Sequence, residues 1–121
     1  MIVILFNFAS FTRVVENVYN TVSTPYSLDN VLSVFRYFFE EYEAATGQIH
    51  PGIRRDQIAR IVAAMPYIDM QTHGTAADID PEDYPDMIDA YFQTDFPDCD
   101  YRINHFFSGQ IRELRFYERL Y

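Results

Sequence analysis

The sequence predicts an all-α fold, a single compact bundle of four or five helices spanning residues 1–121, with a short N-terminal strand or apolar arm in front of it. Three observations carry this expectation. Apolar residues recur at the 3.6-residue helical period in four separate stretches. Residues suited to helix caps flank those stretches. With 121 residues, 49% of them apolar and 17% aromatic, the chain is one domain's worth and can bury a core of its own. It shows no internal repeat, low-complexity tract or interdomain linker.

The first nine residues, "MIVILFNFA", are β-branched and aromatic and read as a strand, an apolar arm, or the first turns of a helix. Phe11, Val14, Val15, Val18 and Val22 then keep helical spacing, which predicts a helix over 11–22 that stops before Thr24-Pro25. The clearest element is "SLDNVLSVFRYFFEEYEAATG", with Leu28, Val31, Leu32, Phe35, Phe38, Phe39 and Tyr42 on one stripe. Ser27 is placed to cap its start, and Gly47 to close its end in the left-handed conformation.

After His50-Pro51-Gly52, "RRDQIARIVAAM" turns Ile58, Ile61, Val62 and Met65 inward and ends at Pro66. Residues 66–82 lack periodicity and read as a long connection. Asp83 is the expected cap of "YPDMIDAYFQ", because it puts Pro85 in the first turn, where a missing N–H costs least. Asp100 is the expected cap of a last helix through Ile103, Phe106, Phe107, Gln110, Ile111, Leu114 and Tyr117. Ser108-Gly109 is its kink or break, and Arg112, Arg115 and Arg119 complement its dipole. The core expected from this layout is the Leu28–Tyr42 stripe packed on Phe106–Tyr117.

The net charge is −9, from 11 Asp and 7 Glu against nine Arg, with no Lys. Such a chain is repelled by phosphate, which argues against direct contact with DNA, RNA or an anionic membrane and favours basic partners. The single Cys99 excludes an internal disulfide and a multi-cysteine zinc site, as suits a reducing compartment. The apolar start is shorter than a bilayer span and lacks the basic leader and cleavage pattern of a signal peptide, so a soluble, cytoplasmic protein is expected. Ten tyrosines and no tryptophan suggest that several aromatic rings keep a hydroxyl at a surface or interface.

The acids are unevenly placed: residues 61–101 contain ten of them and no Arg, while residues 102–121 carry four Arg against two acids. Local structure accounts for Asp80, Asp83, Asp86, Asp98 and Asp100, which stand where caps, first turns and loops favour Asp. Asp69, Asp78, Glu82, Asp89 and Asp95 have no such role, and a solvated face that keeps a small protein soluble is the simplest account of them. A calcium loop is the second account, since Asp78, Asp80, Glu82, Asp86 and Asp89 fall on the ligand spacing of an EF-hand. It lacks the glycine at its sharp turn, which is Asp83, and Pro81 and Pro85 stiffen it, so neither a metal nor any other cofactor is expected.

The third account is that the face is itself a ligand. Asp78, Asp80, Glu82, Asp83, Asp86 and Asp89, with Tyr84 and Tyr91 as aromatic anchors, would bind a basic protein, and at high enough density would mimic a nucleic-acid backbone. Phe92 fits the core better than either tyrosine. A non-enzymatic interaction protein is the resulting expectation. Its rival is a small enzyme or metal site on Cys99, His105 and Asp98 or Asp100, although those carboxylates oppose a thiolate and His105 between Asn104 and Phe106 also suits a plain helix position. His50 and His73 stand alone in loops. Arg54, Arg55 and Arg60 lead into no recognition helix, because "PYIDMQTHG" and then acids follow them. A homo-oligomer, pairing the C-terminal arginines of one copy with the acids of another, is the remaining possibility.

"AAMPYID" and "DYRINHFFSGQIRELRFYERLY" make residues 50–121 similar to small proteins carried by mobile genetic elements of Gram-positive gut bacteria, while the first 48 residues are unmatched. The resemblance implies an accessory role in element maintenance or defence evasion, where acidic inhibitors such as anti-CRISPR proteins block nucleic-acid-binding enzymes. It carries over no activity and no functional residue.

Overall fold

The computed structural model describes residues 8–67 and 77–108, and the fold is helical, with no strand among these residues. Helix α1 spans Phe8–Tyr19, α2 Leu28–Thr46, α3 Arg55–Ala64, α4 Tyr84–Gln93 and α5 Ile103–Phe106, and a 3-10 turn over Pro81–Asp83 leads into α4. Helix α2 packs on both α1 and α4, and α1 also packs on α3. No helix among the described residues is long and apolar enough to cross a membrane.

The start of α1 lies three residues before the expected one, so the end of the apolar segment continues the helix; residues 1–7, on which the strand-or-arm reading falls, lie outside the described residues. Phe11, Val15 and Val18 face inward as their spacing requires. The helix stops short of Val22 because Thr21 turns back on it, its amide and its hydroxyl both donating to the Val18 carbonyl at 2.9 and 2.7 Å.

Helix α2 follows its sequence closely. The Ser27 hydroxyl accepts from Asn30 N at 3.1 Å, and Gly47, at φ 73°, donates its N–H to the Glu43 carbonyl. Between these caps Val31, Phe35 and Phe38 are fully buried. Removing a side chain of that size from water contributes about 2–3 kcal/mol, and the rings of Phe38 and Phe106 meet at 5.4 Å, where the expected packing of this stripe on Phe106–Tyr117 begins; residues 109–117 of that partner lie outside the described residues.

Helix α3 buries Ile58, Ile61 and Val62, with Met65 buried just beyond its end. The connection that follows is closed at its base: the Pro66 carbonyl accepts from both Asp78 N and Ile79 N, at 2.9 and 3.0 Å. Asp69, His73 and Gly74 lie outside the described residues.

Two caps differ from expectation. Asp83 has helical backbone angles and makes no side-chain cap; Asp80 instead accepts from Glu82 N at 2.9 Å. Pro81 is the physical reason, since its ring sets φ in the helical range and starts the helical path one turn early. Asp100 is likewise not the cap of α5, whose N-cap position is Arg102. The free amide of Ile103 donates to His50 Nε2 at 3.0 Å, so a histidine from a distant loop does the capping. Helix α5 ends at Phe106, and the Ser108 amide returns to the His105 carbonyl. The rest of the expected last helix, from Gln110 through Ile111, Leu114 and Tyr117 with its three arginines, lies outside the described residues.

Several tyrosine hydroxyls brace the bundle from within, while Tyr19, Tyr37 and Tyr101 are half-buried, as the expectation of several tyrosines at a surface allows. Tyr26 donates to the Ile79 carbonyl and Tyr84 to the Met65 carbonyl, each at 2.6 Å and buried. These two bonds secure the same loop base that Pro66 closes. A tyrosine can serve so because its ring fills the core while its hydroxyl satisfies a carbonyl that burial would otherwise leave unpaired.

Candidate functional site

The predicted acidic face divides when its residues are placed. Asp78, Asp80, Glu82 and Asp86 are exposed, Asp83 and Asp89 are half-buried, and Tyr84 and Tyr91 are buried at 1% and 3% exposure. The two tyrosines therefore do not serve as surface anchors: the helical period that puts Asp86 outward puts Tyr84, Met87, Ile88 and Tyr91 against α2. Phe92, expected to suit the core better than either tyrosine, is half-buried and packs against the core, while the two tyrosines are buried.

Asp89 is also turned to an internal task. It accepts from the Tyr37 hydroxyl at 2.7 Å, linking α4 to α2. That bond holds the Tyr37 proton well above the usual tyrosine range, helped by burial and by the nearby carboxylates of Glu41 and Asp86. Negative charge thus reaches across from α4 to α2, a continuation that the linear sequence does not show because Glu41 lies in a different helix.

Beside the exposed acids lies a groove of about 460 Å³ between the start of α2 and the loop entering the 3-10 turn. Tyr26, Pro25 and Pro81 give it apolar walls; Asp78, Asp80 and Asp83 give it carboxylates, and Asn30 an amide. Elsewhere, exposed ion pairs join Arg54 to Asp56 and Arg102 to Asp100. The EF-hand spacing does not become a site: Asp86 and Asp89 are held on a helix, Asp89 serves Tyr37, and no group of three or more potential ligands gathers among the described residues.

At the other end of α4, about 15 Å along its axis, the chain brings together residues that sequence proximity only suggests. His105 Nδ1 lies 2.7 Å from the Tyr91 hydroxyl and 3.2 Å from Cys99 Sγ. The Tyr101 amide donates to the same sulfur at 3.2 Å, and the Tyr91 hydroxyl is 3.7 Å from it. Burial and the neighbouring thiol keep the Tyr91 hydroxyl protonated far above its ordinary range. Asp98 and Tyr101 on either side of Cys99 adopt positive φ, 57° and 59°. Asp100 is occupied with Arg102 at 3.1 Å, so the third member beside Cys99 and His105 is Tyr91 rather than an aspartate. Its position eight residues before Cys99, on another element, leaves no signal in the sequence.

His50, a lone loop histidine by sequence, is a buried structural one, 3% exposed. No family model, curated protein or solved structure matches this chain.

Proposed function

We propose that this protein is a non-enzymatic binding protein that takes a basic protein partner on the acidic surface formed by Asp78, Asp80, Glu82, Asp83 and Asp86. The groove beside Tyr26 carries the reading. An arginine or lysine side chain has an apolar stem and a cationic head, and a cleft with proline and tyrosine walls among three aspartates is complementary to both parts. The remaining exposed carboxylates would steer the partner by long-range attraction and make association fast and salt-sensitive. A partner that normally binds nucleic acid presents such a basic surface, so the same face would act as a nucleic-acid mimic and inhibitor toward it.

The test is capture from a bacterial host lysate at low and moderate salt, comparing the wild type with a variant carrying Asp78→Asn, Asp80→Asn, Glu82→Gln and Asp86→Asn. Asp89 is left intact because it braces α2, and Asp80→Asn keeps a side-chain oxygen to cap the 3-10 turn. The expected result is a partner bound by the wild type, lost in the variant and displaced by duplex DNA. Undiminished capture by the variant refutes the acidic-face reading, and capture that DNA leaves untouched refutes mimicry.

A further inference from the structure

We infer that Cys99 is a nucleophilic thiol for hydroperoxides, set among Tyr101 N–H, His105 and Tyr91 as the groups that activate it. This function is separate from the acidic face and stands on different residues.

A cysteine with only a packing role behaves as a small apolar side chain. Cys99 is half-buried among polar groups instead. Three donors converge on its sulfur: the Tyr101 amide at 3.2 Å, His105 Nδ1 at 3.2 Å when protonated, and the Tyr91 hydroxyl at 3.7 Å. A neutral thiol is a weak acceptor with one proton to give, whereas a thiolate makes use of all three. In the tautomer with Nδ1 unprotonated, that nitrogen is the acceptor shared by the Tyr91 hydroxyl at 2.7 Å and the Cys99 thiol at 3.2 Å. When the thiol proton moves to Nδ1, the ring N–H points back at sulfur, and the Tyr91 hydroxyl loses its acceptor and turns to sulfur as well.

The nucleophile and its base are therefore within reach of one another, with the Tyr91 hydroxyl sharing the base's acceptor nitrogen. The opposing charge nearby is reduced, since Asp100 is paired with Arg102 and Asp98 is exposed to water. The Tyr101 backbone, left-handed for a bulky residue, costs about 1–2 kcal/mol and aims its amide at the sulfur.

The step balances without a cofactor. The Cys99 thiolate attacks the terminal oxygen of a hydroperoxide, an S–O bond forms and the O–O bond breaks. The sulfur is oxidised by two electrons to a sulfenic acid, the peroxide is reduced, and the departing alkoxide takes the proton held on His105 Nδ1 to leave as an alcohol, or as water when the reagent is hydrogen peroxide. Cys99 is the chain's single cysteine, so no internal disulfide can follow; an external thiol would form a mixed disulfide with loss of water, and a second external thiol would displace Cys99 as its thiol and leave as the external disulfide.

The test treats the full chain with hydrogen peroxide, traps sulfenic acid with dimedone, and follows the adduct by intact mass; iodoacetamide alkylation is timed in parallel. The same reactions on the urea-unfolded chain supply the reference and require no variant. Folded protein is expected to be oxidised at least about tenfold faster than unfolded. The gain toward iodoacetamide should be smaller, because only the peroxide's leaving group uses the His105 proton. His105→Gln and Tyr91→Phe, checked for native circular dichroism, should each lower the peroxide rate toward the unfolded value. Oxidation of the folded chain no faster than of the unfolded one overturns the proposal, and equal gains toward both reagents overturn its assignment to peroxide.

Discussion

Protonating or replacing His50 tests how the bundle closes. Its ring is enclosed by Phe39 and Tyr42 at centroid distances of 4.8 and 4.7 Å, with Phe38 at 6.0 Å. Nδ1–H donates to the Pro51 carbonyl at 2.7 Å, which leaves Nε2 bare to accept the Ile103 amide at 3.0 Å. A second proton would set two N–H groups against each other. Burial, with a smaller contribution from Arg102, accordingly lowers the pKa of His50 from 6.5 to about 4, against the opposing pull of the Pro51 carbonyl and Asp100. Between those values the unfolded chain binds a proton that the folded chain refuses, so stability is complete above the unfolded value and declines as the pH falls toward the folded one. At about 1.4 kcal/mol per pH unit, the loss is about 3 kcal/mol between neutral pH and pH 4, a large part of the roughly 5–15 kcal/mol that holds a domain of this kind.

Many carboxylates titrate over the same range, so the informative quantity is the difference between wild type and His50→Gln, which cannot take up the proton. In urea melts with a slope of about 2 kcal/mol per molar, the wild-type midpoint should fall by roughly 1.5 M more than that of the variant on going from pH 7 to pH 4. At pH 7 the variant should itself be weaker by about 2 kcal/mol, from the lost ring contacts and an imperfectly satisfied Ile103 amide. Parallel pH dependences in the two proteins would refute the claim that His50 is held neutral as an acceptor.

Three further substitutions separate bracing from backbone effects. Tyr84→Phe removes the bond to the Met65 carbonyl and leaves that oxygen buried without it, for an expected loss of about 1–3 kcal/mol in thermal or chemical unfolding; an unchanged stability would show the brace to be dispensable. Gly47→Ala puts a β-carbon on a residue at φ 73° with nothing within 4 Å, so its cost of about 1 kcal/mol is one of backbone alone. Gly52→Ala, also with open space and without positive φ, is the matched control and should fall within about 0.5 kcal/mol of wild type.

What the sequence reveals and what it hides follow from the range of the interactions concerned. The caps of α2 at Ser27 and Gly47 and the inward residues of α2 and α3 are set within one or two helical turns, where periodicity and side-chain chemistry act directly. The side-chain cap falls on Asp80, before the 3-10 turn, rather than on Asp83 at the start of α4, because two prolines compete to begin the helical path and the earlier one prevails. The cap of α5 is not legible at all: His50 lies 53 residues from Ile103, and nothing near either residue announces the pairing. The same holds for Tyr26 with Ile79 and Tyr37 with Asp89, 53 and 52 residues apart. For the acidic face, counting charges locates the segment but does not tell an outward Asp86 from an Asp89 turned toward Tyr37, since both read as Asp on one short helix.

Helix α4 ties these features into one arrangement. Its buried side, from Tyr84 to Tyr91, spans the core, and its two ends meet different chemistry: the exposed acids and the groove at the N-terminal end, the thiol and imidazole at the C-terminal end. Acids near the first turn of a helix complement its dipole, so the N-terminal carboxylates need no partner protein to be tolerated there. Their bare existence is therefore weak support for binding, and the groove that three of them share with Tyr26 is stronger, because solubility and dipole effects require no concave shape. By the same reasoning, a half-buried cysteine is ordinary in a helical core, but a sulfur reached by an amide, an imidazole and a hydroxyl is not explained by packing. Each end is thus judged by the feature that its structural role does not require, and those features are the ones the proposed experiments perturb.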